Sequence, residues 1–167
     1  DPNRESTAIT STLKHKKGKA SAPQGLTFKK KGKTYKGFEV GHQPVSGNVK
    51  EILTYANTFT GVPYKFGGTT PAGFDCSGYI RYVFQKIGFD MPRQADEQYT
   101  VGKKVEKSNL QPGDLVFFET YEPGISHSGI YIGDGQFISA TSSSGVAVAD
   151  IDDSYWGPRY VGAKRVL

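Results

Sequence analysis

Two hydrophobic periods divide this chain. Between residues 48 and 88 the apolar positions recur three and four apart, and from Asp114 onward they alternate or run in short clusters. Val49, Ile52, Leu53, Ala56 and Phe59 line one face of a helix. Asn48 and Glu51 open it at capping-box spacing, and Gly61 with Pro63 stop it. Ile80, Val83, Phe84 and Ile87 form the stripe of a second helix that starts at Cys76 and ends at Gly88. RQADEQY predicts a short third helix. DLVFFE, SGIYIG, QFISAT, GVAVAD and YVGAKRVL then read as strands separated by turns, giving a sheet of about five strands. Helices followed by antiparallel strands is an α+β order.

The amino-terminal part breaks the pattern. From Asp1 to about Gln24 the chain is rich in Ser, Thr, Lys and Gly and reads as a loosely attached leader. LTFKKKGKTYKGFEV differs, because Leu26, Phe28, Tyr35 and Phe38 flank a Lys-Gly-Lys turn and predict a hairpin over 26–40 that docks on the domain. GHQPVSG follows as a linker. The expected division is therefore an arm and linker over residues 1–46 and a domain over residues 47–167.

Charge sharpens that division. Residues 1–50 hold 11 Lys/Arg against 3 Asp/Glu, a net of +8, whereas residues 51–167 carry a net of −3. An arm of that sign attracts polyanions such as cell-wall polymers, anionic membranes or nucleic acid, and the plain alternative is a solvated leader. The acidic domain argues against a nucleic-acid role. No run approaches the ~18 apolar residues of a membrane helix. No secretory signal is visible, and a chain beginning Asp1-Pro2 is expected to have had one removed.

The single cysteine is the most informative residue. One thiol cannot close an internal disulfide, and one Cys with three scattered His gives no ligand-spaced metal cluster, so neither a metal nor a cofactor is expected. Asp75 is an N-cap candidate, which puts Cys76 in the first turn of its helix. The amides and dipole of a helix start favour a thiolate, and nearby N–H groups suit an oxyanion. Ser77-Gly78 would keep bulk away from the sulfur. A small buried hydrophobe is the alternative reading of the same residue.

A thiolate nucleophile needs a base. His15 and His42 fall in the arm and linker. His127 opens the strand HSGIYIG, where it either caps a sheet edge or serves the cysteine about 50 residues before it. If Gly133-Asp134-Gly135 is a three-residue loop, Ile132 pairs with Gln136 and Gly129 with Ser139. Ser139 then shares a sheet face with His127, one diagonal step away.

GVPYKFGGTTPAGFDCSGYIRYVF, MPRQADEQ, LQPGDLVFF and ISHSGIYIGDGQFISA, in this order, resemble the NlpC (p-sixty) cell-wall endopeptidases over about Val49–Leu167. The resemblance implies a papain-like fold and hydrolysis of peptidoglycan stem peptides between D-γ-glutamate and a diamino acid, commonly meso-diaminopimelate. It makes Cys76 the nucleophile and His127 the base. It sets Tyr64 near the sulfur or the oxyanion, and brings Asp75, Ser77 and Arg93 to the substrate. Two departures stand out: Ser139 occupies a third catalytic position that is usually His, Asn or Gln, and Ala95 stands where Ser or Thr is common. The plain readings are core packing for Tyr64, capping for Asp75, an ion pair with Asp96 or Glu97 for Arg93, and a turn for Asp114. The competing functions are a wall-binding pseudoenzyme and a papain-like amidase or acyltransferase.

Overall fold

The computed structural model describes residues 24–30, 33–40, 47–142 and 144–167. Residues 1–23, and with them His15, lie outside the described residues, as do His42 and the linker over 41–46. The backbone over the expected hairpin pairs as β1 (Gln24–Lys30) and β2 (Lys33–Val40), with Lys30 opposite Lys33.

The two helical stripes become α1 (Gly47–Asn57) and α2 (Cys76–Gln85). α1 begins at Gly47, so Asn48 sits inside its first turn and is not its cap. Gly88 follows α2 at a φ of 77°, the left-handed conformation that ends a helix cheaply only at glycine. Between the helices a tight turn carries β3 (Thr69–Thr70) and β4 (Gly73–Phe74), and after them comes the single turn α3 (Ala95–Gln98).

The main sheet has six strands, one more than the runs of the sequence suggest. They are β5 (Lys103–Val105), β6 (Leu115–Phe118), β7 (His127–Gly133), β8 (Gln136–Thr141), β9 (Gly145–Asp150) and β10 (Tyr160–Arg165), in the spatial order β5-β10-β6-β7-β8-β9 and antiparallel throughout. β5 is the addition. It is three residues long with two exposed lysines, so no period marks it, and it forms by pairing Val105 with Ala163 of β10. Among the described residues no helix is long and apolar enough to cross a membrane.

Both faces of the sheet are buried, and β7 shows why that matters. Ile130 and Ile132 point to a core shared with Ile52, Leu53, Ile80, Val83 and Phe84 of the helices. Tyr131, on the alternate positions, joins a second core with Phe118, Phe137, Tyr155 and Trp156. His127 and Gly129 share the parity of Tyr131.

The hairpin after β7 differs from a three-residue loop. Gly133 pairs with Gln136 across a two-residue turn, Asp134-Gly135, whose φ values of 53° and 76° are the left-handed pair of a type I′ turn. A register irregularity between Tyr131 and Gly133 compensates, so Ile130 still faces Ile138 and Gly129 stands opposite Ser139. A Cβ on Gly129 would lie 2.7 Å from the Phe137 ring and 3.2 Å from the Ser139 Cβ, which leaves glycine as the residue that fits.

Candidate active site

Asp75 caps α2 with extended backbone, its Oδ1 accepting from the Gly78 N–H at 2.7 Å. Cys76 is therefore the first helical residue, in the turn whose N–H groups have no carbonyl partner within the helix. It is 4% exposed, and its S–H donates to the Ser126 carbonyl oxygen at 3.6 Å. The contact joins the start of α2 to the start of β7, one residue before His127. Gly78 has a different task from clearing space at the sulfur. A Cβ there would lie 2.1 Å from the Gly68 carbonyl oxygen, so glycine lets α2 approach the turn before it.

Around the cap lies a dense polar knot. Arg93 donates to both Asp75 oxygens, at 3.1 and 2.7 Å, and to Ser77 Oγ at 2.8 Å. Gly67 N–H reaches Asp75 Oδ2 at 3.1 Å, so the carboxylate is shared by cap, turn and guanidinium. The hydrogen bond to Asp75 raises the Arg93 pKa further. Arg93 thus pairs with Asp75 and not with Asp96 or Glu97. Glu97 instead closes a capping box on Gln94, and Asp96 accepts from the Glu97 N–H.

This knot forms one wall of a cleft of about 550 Å³, which Phe66, Cys76, Ala95, Asp96, Tyr121 and Ser126 also line. Phe66 is 81% exposed and rides a turn pinned by the Gly68 N–H to the Lys65 carbonyl and the Asp75 N–H to the Gly68 carbonyl. Tyr64 is half-buried and bridges Phe74 through its backbone, outside the residues that line the cleft. Asp114, read from sequence as a turn former, takes the Gln111 N–H and also pairs with Arg165 at 2.8 Å.

His127 sits behind the cleft in different surroundings. It is 1% exposed, and its imidazole packs against Trp156 at a centroid distance of 4.8 Å and Phe118 at 6.1 Å. Burial drives its pKa from 6.5 down to about 3, so the ring is neutral at physiological pH. Ser139 shares the face of His127 and is fully buried, yet its Oγ makes no hydrogen bond with any described residue.

Two residues of the site were given no role by the sequence, although Gln98 closes the run MPRQADEQ. Gln98, fully buried, donates to the Ser77 and Pro92 carbonyls at 3.1 and 3.0 Å and accepts from Ser128 Oγ at 3.0 Å. It thereby ties together the residues that follow Cys76, precede Arg93 and follow His127. Nothing in the sequence separates it from Gln94, the exposed glutamine that caps the same turn. Trp156 carries only the signal of being the sole tryptophan.

A thiol at a capped helix start, with donor N–H groups beside it and a neutral imidazole on the adjoining strand, has the groups that acyl transfer requires. Known proteins resemble this chain in sequence and fold. The "Gamma-DL-glutamyl hydrolase" of Bacillus subtilis (strain 168) is 42% identical over 148 residues, 84% of this chain and 36% of that protein. The "Murein DD-endopeptidase MepS/Murein LD-carboxypeptidase" of Escherichia coli (strain K12) is 46% identical over 117 residues, 70% of this chain and 62% of that protein. The chain thus spans about a third to two thirds of the length of these relatives. The solved NlpC/p60 domain of the peptidoglycan hydrolase SagA superposes with a TM-score of 0.64 at 32% identity, over 71% of this chain and 99% of that one. The NlpC/P60 family pattern itself matches residues 61–165. With helices, antiparallel sheet and sequence all in agreement, this chain belongs to the NlpC/P60 family.

Proposed function

We propose that this chain is a cysteine peptidase acting outside the cytoplasm on peptidoglycan stem peptides, at the bond between D-γ-glutamate and a diamino acid, with meso-diaminopimelate the expected one. The observation that carries the reading is the placement of Cys76: first residue of an Asp-capped helix, at the cleft, its sulfur against the residue that precedes His127. Residues 47–167 form the catalytic domain in this reading.

The chemistry follows from the surroundings. As the sulfur attacks the isopeptide carbonyl carbon, the neutral imidazole of His127 takes the thiol proton. N–H groups at the start of α2 hold the oxyanion, and the Tyr64 hydroxyl is assigned to the same side. His127 returns the proton to the leaving amine as the C–N bond breaks. Water then hydrolyses the thioester and regenerates the thiol. The Asp75–Arg93–Ser77 knot is assigned to the part of the stem on the amino side of the cut, where Arg93 offers charge to substrate carboxylates. The basic arm supports adsorption to anionic wall polymers, so binding of the full chain to purified walls weakens as salt shortens the Debye length.

The relatives' names refer to different bonds, γ-DL-glutamyl in one and murein DD in the other, so the products decide. Purified chain is incubated with a muropeptide mixture beside Cys76→Ala, and the products are followed by mass spectrometry. Cleavage after D-glutamate that vanishes in Cys76→Ala supports the reading. Cleavage at a D,D cross-link moves the bond and keeps the peptidase. A second reading, a wall-binding pseudoenzyme, draws on the unengaged Ser139 Oγ. It gains if the reduced native chain releases nothing yet sediments with walls.

A further inference from the structure

We propose that Trp156 is the positioning residue for the His127 imidazole, filling the place that a hydrogen-bonding side chain at position 139 would otherwise take. The inference rests on the cysteine-peptidase reading. The indole and the imidazole lie with centroids 4.8 Å apart and planes 35° from parallel, and Phe118 closes a second side at 6.1 Å and 58°. Trp156 is fully buried, so this contact is dry.

The indole is itself held rigidly. Phe118, Phe137 and Tyr155 meet it edge-on at 4.9, 5.2 and 4.9 Å. Asp153 Oδ1 accepts from the Trp156 and Tyr155 N–H groups at 2.6 and 2.9 Å, which fixes the backbone that carries it. Arg159 lies 3.9 Å over the Tyr155 ring and donates to the Tyr155 carbonyl at 2.7 Å. Rotating His127 away would require this whole aromatic cluster to unpack.

Position 139 supplies no such hold. Ser139 is on the correct face, but its short side chain ends without a hydrogen bond to any described residue. Stacking also does something a hydroxyl cannot. When His127 accepts the thiol proton, the new imidazolium meets the negative face of an indole in a water-free site, and that attraction exists only for the charged form. Among the described residues, the charged and titratable groups around this contact are Cys76 across Ser126, Asp153 and Arg159 engaged with the loop backbone, Tyr155 edge-on to the indole, Tyr131 accepting from the Gly135 N–H, and Tyr160, held up to about 12 by burial.

The test needs no wall substrate. Alkylation of Cys76 by iodoacetamide is measured against pH for the native chain, Trp156→Phe, Trp156→Leu and His127→Gln, with folding checked by circular dichroism. Trp156→Phe keeps an aromatic ring and is expected to slow alkylation slightly. Trp156→Leu is expected to slow it roughly three- to thirtyfold, the span of a desolvated cation–π contact, and to move the pH profile toward that of His127→Gln. Because Trp156 is the sole tryptophan, native fluorescence reports this contact directly. Its emission from the folded chain at pH 7 should change in His127→Gln, where no imidazole stacks on the indole. A folded Trp156→Leu with native rate and profile overturns the proposal. If that variant does not fold, a Trp156→Phe profile identical to native together with fluorescence indifferent to His127 overturns it. Should His127→Gln alkylate like the native chain, the dyad itself is lost, and both the peptidase reading and this proposal fail. Native muropeptides left uncut beside a Trp156-dependent thiol would instead fault only the substrate.

Discussion

The two halves of the candidate site are built from opposite materials. On the side of Cys76, Asp75, Ser77, Arg93, Gly67 and Gly78 satisfy one another through charge-assisted and backbone hydrogen bonds at the edge of solvent. On the side of His127, Phe118, Phe137, Tyr155 and Trp156 enclose an imidazole and a serine hydroxyl in a nearly dry core. A thiolate needs stabilising dipoles near water. A proton acceptor needs to stay neutral until the moment of transfer. The division therefore places each reagent in the medium that suits its uncombined form.

The sharpest way to test the dry half is acid. His127 holds a pKa near 3 when folded against 6.5 when unfolded, so the unfolded chain binds the extra proton first. The resulting stabilisation is complete above pH 6.5 and fades as pH falls toward 3. Each pH unit between costs up to ~1.4 kcal/mol, about 5 kcal/mol across the window. Urea midpoints measured at pH 7, 5.5 and 4.5 should fall steeply in the native chain and far less in His127→Gln. Equal slopes in the two would mean that the imidazole is not held neutral by burial.

The polar half should break by a different route. Asp75→Ala removes the helix cap and leaves Arg93 without its carboxylate, for a loss of ~2–4 kcal/mol measured by urea unfolding at pH 7. Cys76 alkylation should slow as well, because the helix start that favours the thiolate loosens. Asp75→Asn separates the two contributions, since an amide oxygen can still cap while the charge is gone. Full stability in Asp75→Ala would show the knot to be ornamental.

Gln98 joins the halves and should register in both, with a smaller effect. Gln98→Leu keeps the volume but strands the Ser77 and Pro92 carbonyls and the Ser128 hydroxyl, costing about 1–3 kcal/mol. The alkylation rate of Cys76 should fall and its pH profile broaden, because α2 and β7 lose a shared anchor. An unchanged profile beside a lowered stability would reduce Gln98 to packing.

The same contrast explains what the sequence revealed. The polar half is nearly contiguous: Asp75, Cys76 and Ser77 are adjacent, and Arg93 stands after a proline in a recognisable motif. Helix α2 was legible from its stripe and its cap. Five of the six sheet strands show as apolar runs, alternating or clustered, between turns, while β5 is too short and too basic to announce itself. The aromatic half is assembled from β6, β7, β8 and the loop after β9, and only the folded chain brings Trp156 to His127. The hairpin illustrates a subtler limit. Local turn chemistry favours Asp134-Gly135 as a two-residue turn, and the irregularity that restores the Gly129–Ser139 pairing has no sequence mark of its own. The partner of Arg93 was likewise hidden, because Asp96 and Glu97 are near in sequence and Asp75 is near in space.

Ser139 gives the mildest and most discriminating test of the comparison. Its hydroxyl is fully buried without a hydrogen bond to any described residue, in a face otherwise made of rings, Gly129 and aliphatic residues such as Ala147. A buried polar atom in that state is a burden to the fold, so Ser139→Ala should be neutral or stabilise by up to ~1 kcal/mol. If the dry half positions His127 by stacking, muropeptide cleavage and Cys76 alkylation should both stay within about twofold of native, a change worth less than ~0.5 kcal/mol. If activity instead collapses while the melting temperature holds, the hydroxyl orients the imidazole during turnover, and the aromatic half must be read as support for a hydrogen-bonded triad.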